Sequence, residues 1–136
     1  MTRARRLPGG GRIDRTRRLG FHFDGAAYAG HPGDTLASAL LANGVGIVGR
    51  GVYSGRPRGI VAAGVEDPGA LVQVELPGGS EPMLRAAAVE LFDGLVADGL
   101  PGKGRLTIER ESARFDKRYR HVDVLVIGGG AAGVAH

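Results

Sequence analysis

The chain has no cysteine and no tryptophan, and its seven aromatic residues are four Phe and three Tyr. Without cysteine there is no disulfide, no thiolate nucleophile, no cysteine-ligated zinc and no iron–sulfur cluster held by the chain's own thiolates. So few aromatics leave the core to aliphatic side chains. Lysine is nearly absent too: Lys103 and Lys117 stand alone among 18 basic residues. No apolar run approaches the ~20 residues that a membrane-crossing helix needs. The N-terminus also lacks the apolar run of a secretory signal, so a cytoplasmic location is the expectation.

What the sequence does have is glycine, 25 of 136 residues. No every-third-residue period runs through them; they cluster where a chain would turn. The net charge of +4 is unevenly placed, because residues 1–18 carry seven arginines against Asp14 alone. That segment holds +6 and leaves −2 on the remaining 118 residues. Seven arginines without interleaved aromatics give an electrostatic attraction with no sequence reading, so no specific nucleic-acid partner is expected.

Leu19, Phe21 and Phe23 alternate with Gly20 and His22, the period of a half-buried strand. Asp24-Gly25 follows as a tight hairpin turn, with Tyr28 central in the returning strand of residues 26–30. Asp34 is placed to cap a helix that starts at Thr35, buries Leu36, Leu40 and Leu41, and stops at Gly44. Residues 45–48 read as a short strand, and residues 49–69 as a long irregular loop. Val72, Val74 and Leu76 alternate with Gln73 and Glu75 in a further strand. Residues 77–80 read as a turn, 83–91 as the answering strand, and Leu95-Val96 as a last short one. Strand pair, helix, loop and further strands describe an α+β protein, a β-grasp domain of the ferredoxin kind over residues 19–98. Residues 1–18 form a basic tail before it and residues 99–120 a linker behind it.

The end of the chain reads differently. Val122-Asp123-Val124-Leu125-Val126-Ile127 is nearly continuous in β-branched residues, the look of a strand in a parallel sheet. It runs into Gly128, Gly130 and Gly133 at G-x-G-x-x-G spacing. In that fingerprint the first glycine makes the turn, the second admits a pyrophosphate and the third lets the next helix pack close. Residues 121–136 therefore read as the first strand and glycine turn of an incomplete, truncated Rossmann-type FAD/NAD-binding domain. A strand and one turn do not close a βαβ unit, so the expectation is that this chain alone holds no dinucleotide.

Three stretches are together more specific than any one of them: Phe21-His22-Phe23-Asp24-Gly25, residues 33–44 (Gly-Asp-Thr-Leu-Ala-Ser-Ala-Leu-Leu-Ala-Asn-Gly), and Arg56-Pro57-Arg58-Gly59. They resemble the N-terminal region of the α subunit of heterotetrameric sarcosine oxidases. Gly11-Arg12-Ile13-Asp14-Arg15 and residues 89–95 look similar to its flanks, and residues 122–133 match where that family begins its nucleotide-binding domain. The resemblance implies a β-grasp domain related to [2Fe–2S] ferredoxins, with NAD in the α subunit, flavin in the β subunit, and β, γ and δ subunits as partners. Cluster-bearing relatives such as opine oxidases keep cysteines in the loop that corresponds roughly to residues 49–64, which here has none. The fold is expected to survive without its cluster.

No catalytic acid, base or nucleophile stands out. His22, His31, His121 and His136 share no metal-ligand spacing. No serine lies in a G-x-S-x-G context, and Gly102-Lys103-Gly104 lacks the rest of a phosphate loop. Glu66-Asp67 precede Pro68-Gly69 and read as an exposed turn. Arg50, Arg56 and Arg58 read as a solvated loop, or as guanidinium forks for carboxylates or phosphates of a neighbouring domain. The expected role is a scaffold part of a sarcosine-oxidase-type oxidoreductase, not catalytic alone. The alternatives are a free-standing interaction module that uses residues 49–69, or a non-functional gene fragment.

Overall fold

Alternation in the first strand, β1 (Leu19–Phe23), turns Leu19, Phe21 and Phe23 inward and leaves Gly20 and His22 exposed. The computed structural model describes residues 5–102, 104 and 117–127. β1 pairs antiparallel with β2 (Ala26–Gly30) across Asp24-Gly25. Both turn residues have positive φ, 48° and 75°, the pair of values that a hairpin turn matched to the strand twist requires. Phe21 faces Tyr28 in that pairing, with ring centroids 5.6 Å apart.

Helix α1 (Leu36–Ala42) buries Leu36, Ala37, Ala39 and Leu40. It starts one residue later than Asp34 would dictate, because Thr35 is the cap. The Thr35 hydroxyl accepts from the Ser38 N–H, and the Ser38 hydroxyl accepts from the Thr35 N–H. The amides of Leu36 and Ala37 donate to the carbonyls of Val89 and Ala86. Residues 86–91 therefore serve the helix start and not the sheet, apart from one bridge between Thr35 and Glu90.

After the helix come β3 (Ile47–Arg50) and β4 (Pro57–Gly59), which form a separate two-stranded sheet. β5 (Leu71–Leu76), β6 (Gly79–Arg85) and β7 (Leu95–Gly99) join the first pair. The order of the main sheet is β2-β1-β7-β5-β6. Only β1 and β7 run parallel; the other pairs are antiparallel. The result is a mixed α+β protein with one helix among the described residues. Phe21, Phe23, Leu36, Leu40, Val72, Val74 and Leu95 are all at most 2% exposed and share one core cluster. Burial of each large side chain stabilises the fold by roughly 1.5–3 kcal/mol before ordering costs.

Several expectations shift: residues 57–59 of the expected irregular loop form β4, Leu41, expected in the core, is 40% exposed, and the last strand runs on from Val96 to Gly99. The β5–β6 turn is Pro77-Gly78 alone, so β6 begins at Gly79 and ends at Arg85. Opposite Gln73 the ladder slips, and Met83 takes a positive φ of 65°. Gln73, expected outward, is 1% exposed.

Gly99 closes β7 against the crossing β3. A Cβ there would run into the Val48 carbonyl, and one on Gly49 would lie 2.7 Å from the Leu100 carbonyl. Two backbones meet where side chains would hold them apart. Leu100, just beyond, is buried.

Residues 122–127, expected as a buried strand, pair with no strand among the described residues, and Ile127 is 88% exposed. The physical reason is that a lone strand has no ladder partner for its N–H and C=O groups and no face to bury. Gly128, Gly130 and Gly133 lie outside the described residues.

Candidate functional site

The region with most chemistry lies where the start of α1 meets residues 60–70 and the 86–91 segment. Asp34, expected as a helix cap, instead gathers three different donors. Arg6 reaches it with both guanidinium ends, Nη1 to Oδ1 at 3.0 Å and Nη2 to Oδ2 at 2.8 Å. The Ser38 hydroxyl donates to Oδ1 at 2.6 Å and the His31 amide to Oδ2 at 3.0 Å. Burial alone would raise the Asp34 carboxyl, but the Ser38 and Arg6 hydrogen bonds outweigh it and hold the group below the usual carboxylate range. Asp34 is 1% exposed, so the pair is an anchor and not an open site.

Asp67 is the other buried carboxylate. Expected in an exposed turn, it is fully buried. Its Oδ2 accepts from the amides of Val61 and Ala62, both at 2.9 Å. Its Oδ1 accepts from Gly69 at 2.8 Å and Ala70 at 3.0 Å. Burial pushes against ionisation, yet the four amides win and hold the pKa down at about 2. The Asp67 carbonyl in turn accepts from Arg85 Nε at 3.0 Å. The loop is thus wrapped around its own anion. Only the Gly69 contact was legible beforehand, since an Asp commonly bonds the amide two residues on.

Beside this loop lies an open hollow of about 390 Å³, lined by Thr35, Ser38, Leu41 and the small residues Ala62, Ala63 and Ala87 among others. No acid, base or basic nitrogen lines it. It can seat an apolar group, but it offers no proton donor stronger than a hydroxyl.

The three loop arginines fall on the β3–β4 hairpin, where Arg50 faces Pro57 and Gly49 faces Arg58. All three are exposed. Arg50 Nη1 donates to the Gly55 carbonyl at 3.2 Å. The Arg58 guanidinium lies over Gly102, with Nη1 2.7 Å from where a Cβ would stand. They are not brought to one focus with Asp34 or Asp67. His22 and His121 are exposed. His31 Nδ1 lies 2.6 Å from the Arg17 carbonyl, a contact that needs the proton on Nδ1. Among the described residues no three His, Asp or Glu side chains gather to hold a metal ion. No helix among them is long and apolar enough to cross a membrane.

The profile of a 2Fe-2S iron–sulfur cluster binding domain matches residues 16–99. The chain is 44% identical over 93% of its length to sarcosine oxidase subunit alpha of Corynebacterium sp. strain U-96, and covers 13% of that protein. The same subunit of Rhizobium meliloti strain 1021 is 36% identical over 96% of this chain, which covers 18% of it. The chain therefore spans less than a fifth of the length of these relatives. A solved structure, L-proline dehydrogenase from P. horikoshii, is similar over 62% of this chain and 16% of its own, with 26% identity and a TM-score of 0.49. By a match that takes in more than half its residues, and with no cysteine anywhere, the chain belongs to the 2Fe-2S iron–sulfur cluster binding domain family.

Proposed function

We propose that the chain is the N-terminal scaffold part of a sarcosine-oxidase-type α subunit. The whole complex oxidatively demethylates sarcosine or a related secondary amine, and this part carries no catalytic residue. The observation that carries the proposal is the hollow beside α1, which no titratable side chain lines, in a chain that is similar over most of its length to sarcosine oxidase α subunits. The sheet order, with parallel β1 and β7 in its interior and one helix over the core, supports a β-grasp domain over residues 19–98. Residues 1–18 then form the basic lead-in, residues 99–120 the linker, and residues 121–136 the start of a nucleotide-binding domain. In the whole subunit Gly128, Gly130 and Gly133 would face the pyrophosphate of NAD, with flavin held by the β subunit and the assembly cytoplasmic. The glycine spacing is what supports this.

The cluster that the family name implies does not fit these residues. A [2Fe–2S] centre takes four protein ligands, mostly thiolates, and the chain has none to offer. The polar groups of the loop that could face one are already spent on Asp67.

Co-purification tests the proposal. A tagged chain within its full α subunit, expressed with β, γ and δ subunits, is expected to bring all three down. An α subunit with Arg56→Ala and Arg58→Ala that still assembles and binds NAD normally would remove those arginines from any docking role. A second reading, an independent protein-binding module, is favoured by Val52, Val61 and Val65, exposed by 46%, 73% and 69% along residues 49–69. Capture of an unrelated partner, with none of the three subunits, would select it.

A further inference from the structure

Four backbone amides converge on one buried point, and their positions follow a pattern. Ala62 and Ala70 lie five residues before and three residues after Asp67, and both donate to its carboxylate. Ala62-x4-Asp67-x2-Ala70 is the spacing C-x4-C-x2-C by which plant-type ferredoxins hold three corners of a [2Fe–2S] cluster. A concave ring of backbone N–H groups is also the arrangement that protein loops use to receive anions, iron–sulfur clusters among them.

We propose that the Asp67 carboxylate is a built-in replacement for the cluster: it fills the amide ring that would otherwise face the cluster's sulfurs, so the loop keeps its shape without iron. Residues 62, 67 and 70 are then three former ligand positions, which moves the ligand loop later in the chain than the residues 49–64 expected from the sequence. Ala87 is the fourth, since it is buried and lines the same hollow as Ala62. The hollow is the space that the cluster and the larger ligand side chains vacated, which accounts for its lining of Ala62, Ala63 and Ala87. Loss of the cysteines and gain of the aspartate are one change in this account. Four thiolates could leave without unfolding the loop because one carboxylate satisfied the amides left behind.

The idea commits to positions and to charge, and each can be tested in the full chain. Ala62→Cys, Asp67→Cys, Ala70→Cys and Ala87→Cys together, treated anaerobically with ferric iron and sulfide, are expected to yield a [2Fe–2S] chromophore. It would carry equal amounts of iron and acid-labile sulfide, visible charge-transfer bands and an electron paramagnetic resonance signal on reduction. The unaltered chain under the same treatment supplies the baseline. A four-cysteine chain with native circular dichroism and no such chromophore overturns the proposal. Should that chain not fold, Asp67→Asn decides. The amide puts N–H groups against two of the four backbone donors, so the melting midpoint should drop by about 10 °C or more. An unchanged midpoint overturns the proposal.

Discussion

Arg6 and Asp34, twenty-eight residues apart, form a two-pronged ion pair, with the aspartate fully buried and the arginine about one-fifth exposed. The pair fastens the basic lead-in to the start of α1. A second strap lies close by, where the Asp14 amide donates to the Pro32 carbonyl at 2.9 Å.

Removing Arg6 leaves Asp34 with the Ser38 hydroxyl and the His31 amide, so the loss is partial. Arg6→Ala should destabilise the protein by about 1–2 kcal/mol, and Asp34→Ala by about 2–4 kcal/mol because several donors lose their acceptor at once. Urea denaturation of both single variants and the double variant gives the coupling. A double variant whose loss equals the sum of the singles would show that the pair adds nothing beyond its separate contacts.

Asp67 gives a pH prediction. Its pKa is about 2 in the fold and near the ordinary aspartate value of 3.8 when unfolded. The folded state therefore binds its proton less readily, and the stabilisation is fully present above about pH 4. As pH falls from about 4 towards 2 the carboxylate protonates and the stabilisation disappears. Asp67→Asn should lose about 2–3 kcal/mol at pH 7 and much less at pH 2, so the two stability curves should converge in acid.

Asp98 has the opposite sign. Burial, together with the nearby carboxylates of Asp24 and Glu75, raises its pKa. The folded state holds that proton more tightly, so stability declines as pH rises through the unfolded value towards the raised one. At neutral pH Asp98→Asn should be stabilising by about 0.5 kcal/mol, the scale of a partly solvated charge interaction. Thermal melts at pH 7 and pH 3 would check it, since the gain should vanish in acid.

Gly99 tests the crossing of β3 over β7. Its missing side chain is what admits the Val48 carbonyl. Gly99→Ala must push the β3–β4 hairpin away and should cost about 2–3 kcal/mol. Gly78→Ala, in the β5–β6 turn where nothing lies within 4 Å of an added Cβ, is the control and should be near neutral.

Local signals were readable wherever one short segment supplied all the physics. β1, its Asp24-Gly25 turn and β2 stand where alternation and turn chemistry put them, and the helix differs in its cap residue and in leaving Leu41 exposed. The β5–β6 ladder was harder, because its turn and the slip opposite Gln73 depend on how two strands pair and not on either alone. Residues 122–127 are a different case. Their composition asks for a sheet, and among the described residues no strand pairs with them.

By its residues alone the chain excluded thiolate chemistry, set the alternation of its first strands and supplied the family's motifs, because each of these is a property of neighbours along the backbone. Tertiary structure decided the rest. Asp67 lies five residues after Ala62, and only loop closure turns an acid that reads as solvated into a buried anion that four amides hold. Arg6 finds Asp34, and Gly99 meets Val48, for the same reason: partners distant in sequence are chosen by how the chain packs, and that no local pattern records.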